Sequence, residues 1–119
     1  MPENVYIDHT HRIIRVVSYG TVSAEDLHNA LRSVMELKEE HTIYKVLVDA
    51  TNQENPPGTR DYYNFVKVIP CELRIAQLVN ATGSNRDHLH MVEAFAEAQG
   101  KKLKQFYDEE KALLWLKVQ

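Results

Sequence analysis

The run Tyr44-Lys45-Val46-Leu47-Val48-Asp49-Ala50-Thr51 constrains this chain more than any other stretch. An apolar, β-branched segment of this length, ending in an acid and a small hydroxyl, describes a strand buried on both faces. A strand of that kind sits inside a sheet and needs helices to cover it. Its last five residues, Leu47-Val48-Asp49-Ala50-Thr51, echo 31 positions later as Leu78-Val79-Asn80-Ala81-Thr82. That interval is about one strand-plus-helix unit, so the two segments read as equivalent strands joined by a crossover.

The rest of the chain falls into place around them. Val5 and Ile7, then Ile13, Ile14, Val16 and Val17, form two β-branched runs split by Asp8-His9-Thr10-His11, which predicts an antiparallel hairpin ending at Gly20. Ser23, with Asp26 three residues on, is a capping-box start, and Leu27, Ala30, Leu31, Val34 and Leu37 follow at helical spacing. A helix over 24–40 is expected. The central strand over 43–50 then opens into a loop from Asn52 to Gly58, broken by Pro56-Pro57-Gly58. Thr59 is the expected cap of a second helix carrying Tyr62, Phe65, Val66 and Ile69 inward, and Pro70 stops it.

Residues 73–80 form the next buried strand. Ser84 is expected to cap a third helix over 85–99, with Leu89, Val92, Phe95 and Ala96 on one side and Gly100 as its stop. A short edge strand over 102–107 leads to Asp108, which caps a last helix with Glu109 and Glu110 in its first turn. Ala112, Leu113, Trp115 and Leu116 dock that helix. The order is β-β-α-β-α-β-α-β-α: an α/β chain with a mixed, mainly parallel sheet and an antiparallel N-terminal edge.

At 119 residues the chain forms one domain, 1–119, and 44% hydrophobic content supplies a core for it. Net charge is −3, so no global positive field draws in nucleic acid. No apolar run reaches the roughly 20 residues that span a bilayer, so no membrane insertion is expected. Cys71 is the single cysteine, and Met1-Pro2-Glu3-Asn4 lacks the basic-then-apolar pattern of a signal segment; a cytoplasmic protein is expected.

Three features carry a family resemblance. Val16-Val17-Ser18-Tyr19-Gly20-Thr21-Val22-Ser23-Ala24-Glu25-Asp26 is similar to the strand, glycine and helix-start signature of the SpoIIAA-like branch of the STAS family. The run 44–51 resembles its central strand ending in aspartate. Arg74-Ile75-Ala76 and the tail from Gln105 to Leu116 resemble its later strand and closing helix. The resemblance implies helices packed largely on one face of the sheet and a non-enzymatic, regulatory role through a protein partner. In the antagonists of that family, a serine at the start of the second helix, within Asp-Ser-Ser-Gly, is phosphorylated by a kinase that is also the partner. Thr59 falls near that position, within Pro57-Gly58-Thr59-Arg60, so the preceding acid and the following glycine are absent.

Candidate site residues follow from these placements. Asp49, Thr51 and Asn52, with Asn80 and Thr82, would gather at the C-terminal edge of adjacent parallel strands, where α/β sheets bind ligands. The competing explanation is that Asp49 and Asn80 satisfy backbone groups in tight turns. Thr59 and Tyr62 mark the second helix as a protein-contact surface. A small-ligand or lipid-binding role for the loops is the alternative, and a homodimer would cover exposed sheet edges.

No cofactor is expected, and neither histidine pair, His9/His11 or His88/His90, comes with a carboxylate or cysteine set that completes a metal site. Lys101, Lys102 and Lys104 form a basic cluster too small to indicate nucleic acid. No nucleophile–base pair adjoins Cys71, and catalytic residues are expected to be none.

Overall fold

The computed structural model describes residues 3–55, 57–80 and 86–118, with side chains over the same residues except 86–90. Its elements are β1 (Glu3–Asp8), β2 (Ile13–Thr21), α1 (Ala24–His41), β3 (Lys45–Asn55), α2 (Thr59–Val68), β4 (Arg74–Leu78), α3 (Arg86–Ala98), β5 (Lys102–Phe106) and α4 (Glu109–Lys117). The sheet order is β1-β2-β3-β4-β5, with β1 antiparallel to β2 and the remaining neighbours parallel. This is the α/β order read from the sequence.

Because the parallel strands progress in one direction across the sheet, crossovers of one hand place their helices on one face. Val46, Ile75, Val16 and Ile14 meet Leu27 and Val34 of α1, Tyr62 and Val66 of α2, and Val92 and Ala96 of α3 in one core. The alternate residues Ile13, Leu47, Ala76 and Leu78 face the other way and pack on Ala112 and Leu116 of α4. The central strand is therefore covered on both faces, as its unbroken apolar run requires. The strand order never reverses, so the sheet has no switch-point crevice of the kind that binds ligands in doubly wound folds.

Local signals explain the element boundaries. Ser23 and Asp26 form the reciprocal capping box: Asp26 N–H donates to Ser23 Oγ at 3.2 Å, and Ser23 N–H donates to Asp26 Oδ2 at 2.9 Å. Ile69 is extended at φ −67°, ψ 126°, as the residue before Pro70 must be, and α2 stops there. Asp108 accepts from Glu110 N–H at 2.8 Å to cap α4. The Ser84 cap lies outside the described residues.

Two expectations are corrected. Thr59 is the first residue of α2 and not its cap; Gly58 holds that place in an extended conformation, with no side-chain cap, and its carbonyl accepts from Tyr62 N–H at 3.1 Å. The loop expected from Asn52 is strand as far as Asn55. β4 pairs with β3 only as far as Asp49, but β2 continues alongside it, pairing Tyr19 with Asn52, Gly20 with Gln53 and Thr21 with Asn55. Two register shifts bend this two-stranded extension, and Gly20 adopts φ +71° there, a conformation that costs other residues free energy.

Candidate functional site

The C-terminal ends of the parallel strands hold two constellations on opposite sides of the sheet surface. The first is the group expected from the sequence. Asp49 ends the buried part of β3, and its Oδ1 accepts from Thr51 N–H at 3.0 Å and from Thr51 Oγ1 at 2.6 Å. Asn80, just beyond β4, donates through Nδ2 to the Thr51 carbonyl at 2.7 Å. These three residues are thus together, linked to one another by these hydrogen bonds. Asn52 is exposed beside them, and Thr82 lies outside the described residues.

Tyr62 is elsewhere. It is only 4% exposed, so it forms part of the interior wall, on the inward stripe expected for it, and lies away from the outer contact face of α2 for which it was also a candidate. The helical stripe explains the result: position 62 lies one turn before Val66, which is fully buried. Tyr63 stacks on Phe95 with ring centroids 4.5 Å apart, tying α2 to α3. What α2 exposes at its start is Gly58, Thr59 and Arg60.

The second constellation went unnoticed in the sequence. Each of the five strands sends one polar side chain toward the three-helix layer: Glu3, Ser18, Gln53, Gln77 and Gln105. Glu3 hydrogen-bonds with Ser18, its partner in register; Gln53 Nε2 donates to Ser18 Oγ at 3.0 Å; Gln105 Nε2 donates to Gln77 Oε1 at 3.2 Å. The Tyr62 hydroxyl bridges Gln77 and Gln53, completing a row across the sheet. Ser18 is fully buried and Gln77 is 6% exposed, yet no buried side-chain polar atom among the described residues lacks a partner. Burying such groups is tolerable only on that condition.

Beneath this row lies a cavity of about 60 Å³, lined mainly by apolar side chains including Leu31, Val34, Val48, Phe65 and Leu103. Burial, reinforced by the nearby Asp26 carboxylate, pushes the Glu3 carboxyl up to about 7 against the hydrogen bond from Ser18. Burial likewise raises the Tyr62 phenol. A polar residue inside an otherwise apolar strand, such as Gln77 between Ala76 and Leu78, was the available sequence signal.

On the opposite sheet face, the Arg15 guanidinium holds Asp8 well below the usual carboxylate range, with His11 assisting. Arg15 Nε donates to Asp8 Oδ2 at 2.8 Å, and Arg15 Nη1 reaches Glu109 Oε1 at 3.2 Å, which pins α4 to β2. His11 Nδ1 lies 2.8 Å from Asp8 Oδ2, and His9 packs edge-on to His41. Among the described residues no group of three or more metal-ligating side chains converges. The side chains of His88 and His90 are outside the description.

Comparison of the whole structure with solved structures identifies the fold. It is similar to a protein of the DUF3478 family with a SpoIIAA-like fold from Shewanella loihica, at TM-score 0.61 and 18% identity over 96% of this chain and 91% of that one. It is also similar to the Bacillus cell fate determinant SpoIIAA in its phosphorylated form, at TM-score 0.57 and 6% identity over 92% of this chain and 95% of that one. Scans of the sequence against family models and curated proteins return no match. At these identities the likeness establishes a STAS-type, SpoIIAA-like fold. The fold expected from the sequence resemblance is the fold found.

Proposed function

We propose that this chain is a non-enzymatic, cytoplasmic STAS-type module that binds a protein partner through the end of the β2–β3 ribbon and the start of α2. The ribbon carries this reading. It extends past the rest of the sheet and presents exposed Tyr19, Thr21, Asn52, Glu54 and Asn55, with Thr59 and Arg60 following at the helix start. Asn55 Nδ2 donates to Thr21 Oγ1 at 2.9 Å, and Val22 N–H donates to the Asn55 carbonyl at 3.0 Å, so the extension is held in shape. Function rests on such sites and not on folds alone.

The SpoIIAA structure is of a phosphorylated form, and Thr59 stands at the first residue of the second helix here. A phosphate on Thr59 would place about two negative charges in the contact surface, which disrupts a packed interface. The motif that marks the switch in the antagonists is absent around Thr59, so control by charge at this position is part of the proposal. Pull-down with wild-type protein should recover a partner, and T59E should recover less of it. Equal recovery would remove the start of α2 from the contact surface.

The cavity beneath the polar row favours a second reading, a small-ligand binder. At about 60 Å³ it is well short of the roughly 150 Å³ that holds benzene in an engineered core. An acyl chain would therefore require α1 and α2 to move off the sheet. A thermal-shift screen with small aromatic alcohols and short fatty acids tests it: a ligand at 100 times its Kd adds about 2.7 kcal/mol. Silence across the screen would leave the cavity as a packing defect.

A further inference from the structure

The N-terminal edge of the parallel strands has an arrangement that neither the fold nor the proposed contact surface explains. Three adjacent strands begin with a cation, and the three are in register: Lys45 of β3 is paired with Arg74 of β4, and Arg74 with Lys102 of β5. Paired residues in a sheet project from the same face, here the α4 face. Like charges directly opposite one another destabilise a sheet. Arg12, in the β1–β2 turn, joins them to line one open cleft of about 730 Å³ with Thr42 and Glu72.

Little on the protein offsets this charge. Among the described residues Glu72 is the one carboxylate lining the cleft, and it faces Lys38 at 3.4 Å. Among the described residues, no ion pair or side-chain hydrogen bond engages Arg12, Lys45 or Lys102. Helices α1 and α4 end nearby, and their terminal carbonyls attract cations. Only Arg74 answers that attraction: its Nε and Nη2 donate to the Trp115 carbonyl at 3.2 and 2.8 Å, and Nη2 donates to the Val118 carbonyl at 3.2 Å.

Those bonds also prepare Arg74 for a ligand. Its guanidinium is stacked on the Trp115 ring, 3.7 Å from the centroid, and Nη1 has no partner among the described residues. An arginine fixed in this way loses little freedom when it accepts a planar or tetrahedral anion. The two non-glycine residues with positive φ among the described residues, Arg12 and Thr42, both at φ 56°, line the same cleft. With strands roughly 4.8 Å apart, the row spans about 10 Å, which matches one or two phosphoryl groups better than the long track of a nucleic acid.

We propose that the cleft at the N-terminal edge of β3, β4 and β5 is a binding site for a phosphate group, held by Lys45, Arg74 and Lys102 with Arg12 closing over it. The phosphate belongs to a soluble phosphate compound or to a lipid headgroup. The chain's net charge of −3 makes the concentration of cations here a local feature.

The test uses inorganic phosphate and amide NMR of the whole chain, with chloride at equal ionic strength as reference. Phosphate should shift the amides of Thr42, Lys45, Arg74 and Lys102 saturably. K45Q/K102Q should weaken that binding at least tenfold, and K67Q/K111Q, which removes the same net charge from α2 and α4, should leave it unchanged. Co-sedimentation with phosphatidylcholine vesicles containing phosphatidic acid settles the source. Sedimentation of wild type but not K45Q/K102Q identifies a headgroup; saturable phosphate shifts without sedimentation identify a soluble compound. The proposal is overturned if neither phosphate nor vesicles bind, or if both double variants lose binding equally.

Discussion

Glu3→Gln should make the protein less sensitive to alkaline conditions. Glu3 lies at the end of the buried polar row, and its carboxyl titrates near 7 in the fold against 4.5 as the ordinary value, through burial first and the Asp26 charge second. The folded state therefore holds a proton that the unfolded state has released between those two values. Stability from this group is fully present below pH 4.5 and is lost as pH rises through about 7. Each tenfold change in proton affinity corresponds to about 1.4 kcal/mol, which for an unscreened group would total about 3 kcal/mol. Glu3 is only half-buried, and solvent screening brings the expected figure to about 1 kcal/mol. Gln reproduces the protonated carboxyl at all pH values. Urea unfolding should give E3Q and wild type equal stability at pH 5 and E3Q an advantage of about 1 kcal/mol at pH 8. Parallel pH profiles for the two proteins would refute the argument, because the six histidines and the other carboxylates are common to both.

Other outcomes follow from the same contacts. Trp115→Ala removes the ring that stacks on Arg74 and packs 5.7 Å from Phe106, and should cost about 3 kcal/mol in urea unfolding. Asn80→Ala removes the bond to the Thr51 carbonyl and should cost about 1 kcal/mol, with faster amide exchange at the β3–β4 edge. Asp8 titrates below its ordinary range, so its contribution is present at neutral pH and is lost as pH falls through the folded value; Asp8→Asn should remove that part of acid unfolding.

The legible parts of this chain were those encoded locally. The capping box at Ser23, the pre-proline stop at Ile69 and the unbroken apolar run that buries Val46 and Leu47 on opposite faces are each written within a few neighbouring residues. The β2–β3 ribbon was not legible, because Asn52 to Asn55 carry no burial signal and become strand only through pairing with Tyr19 to Thr21. The polar row and the cation row share this difficulty. Gln53, Gln77 and Gln105, or Lys45, Arg74 and Lys102, lie far apart in sequence; register brings Gln77 to Gln105 and aligns the three cations, and Tyr62 links Gln53 to Gln77. Tyr62 shows the converse: helical spacing suffices to bury it, but only the packed helix shows that its hydroxyl meets two glutamines.

Hydrogen–deuterium exchange of the chain with and without a captured partner addresses the proposed contact surface most directly. The account predicts new protection at Tyr19–Thr21, across Asn52–Asn55 and at Thr59–Arg60, with β1 and β5 unchanged. Protection confined to the β1 edge, to α4 or to the cation-lined cleft would contradict it.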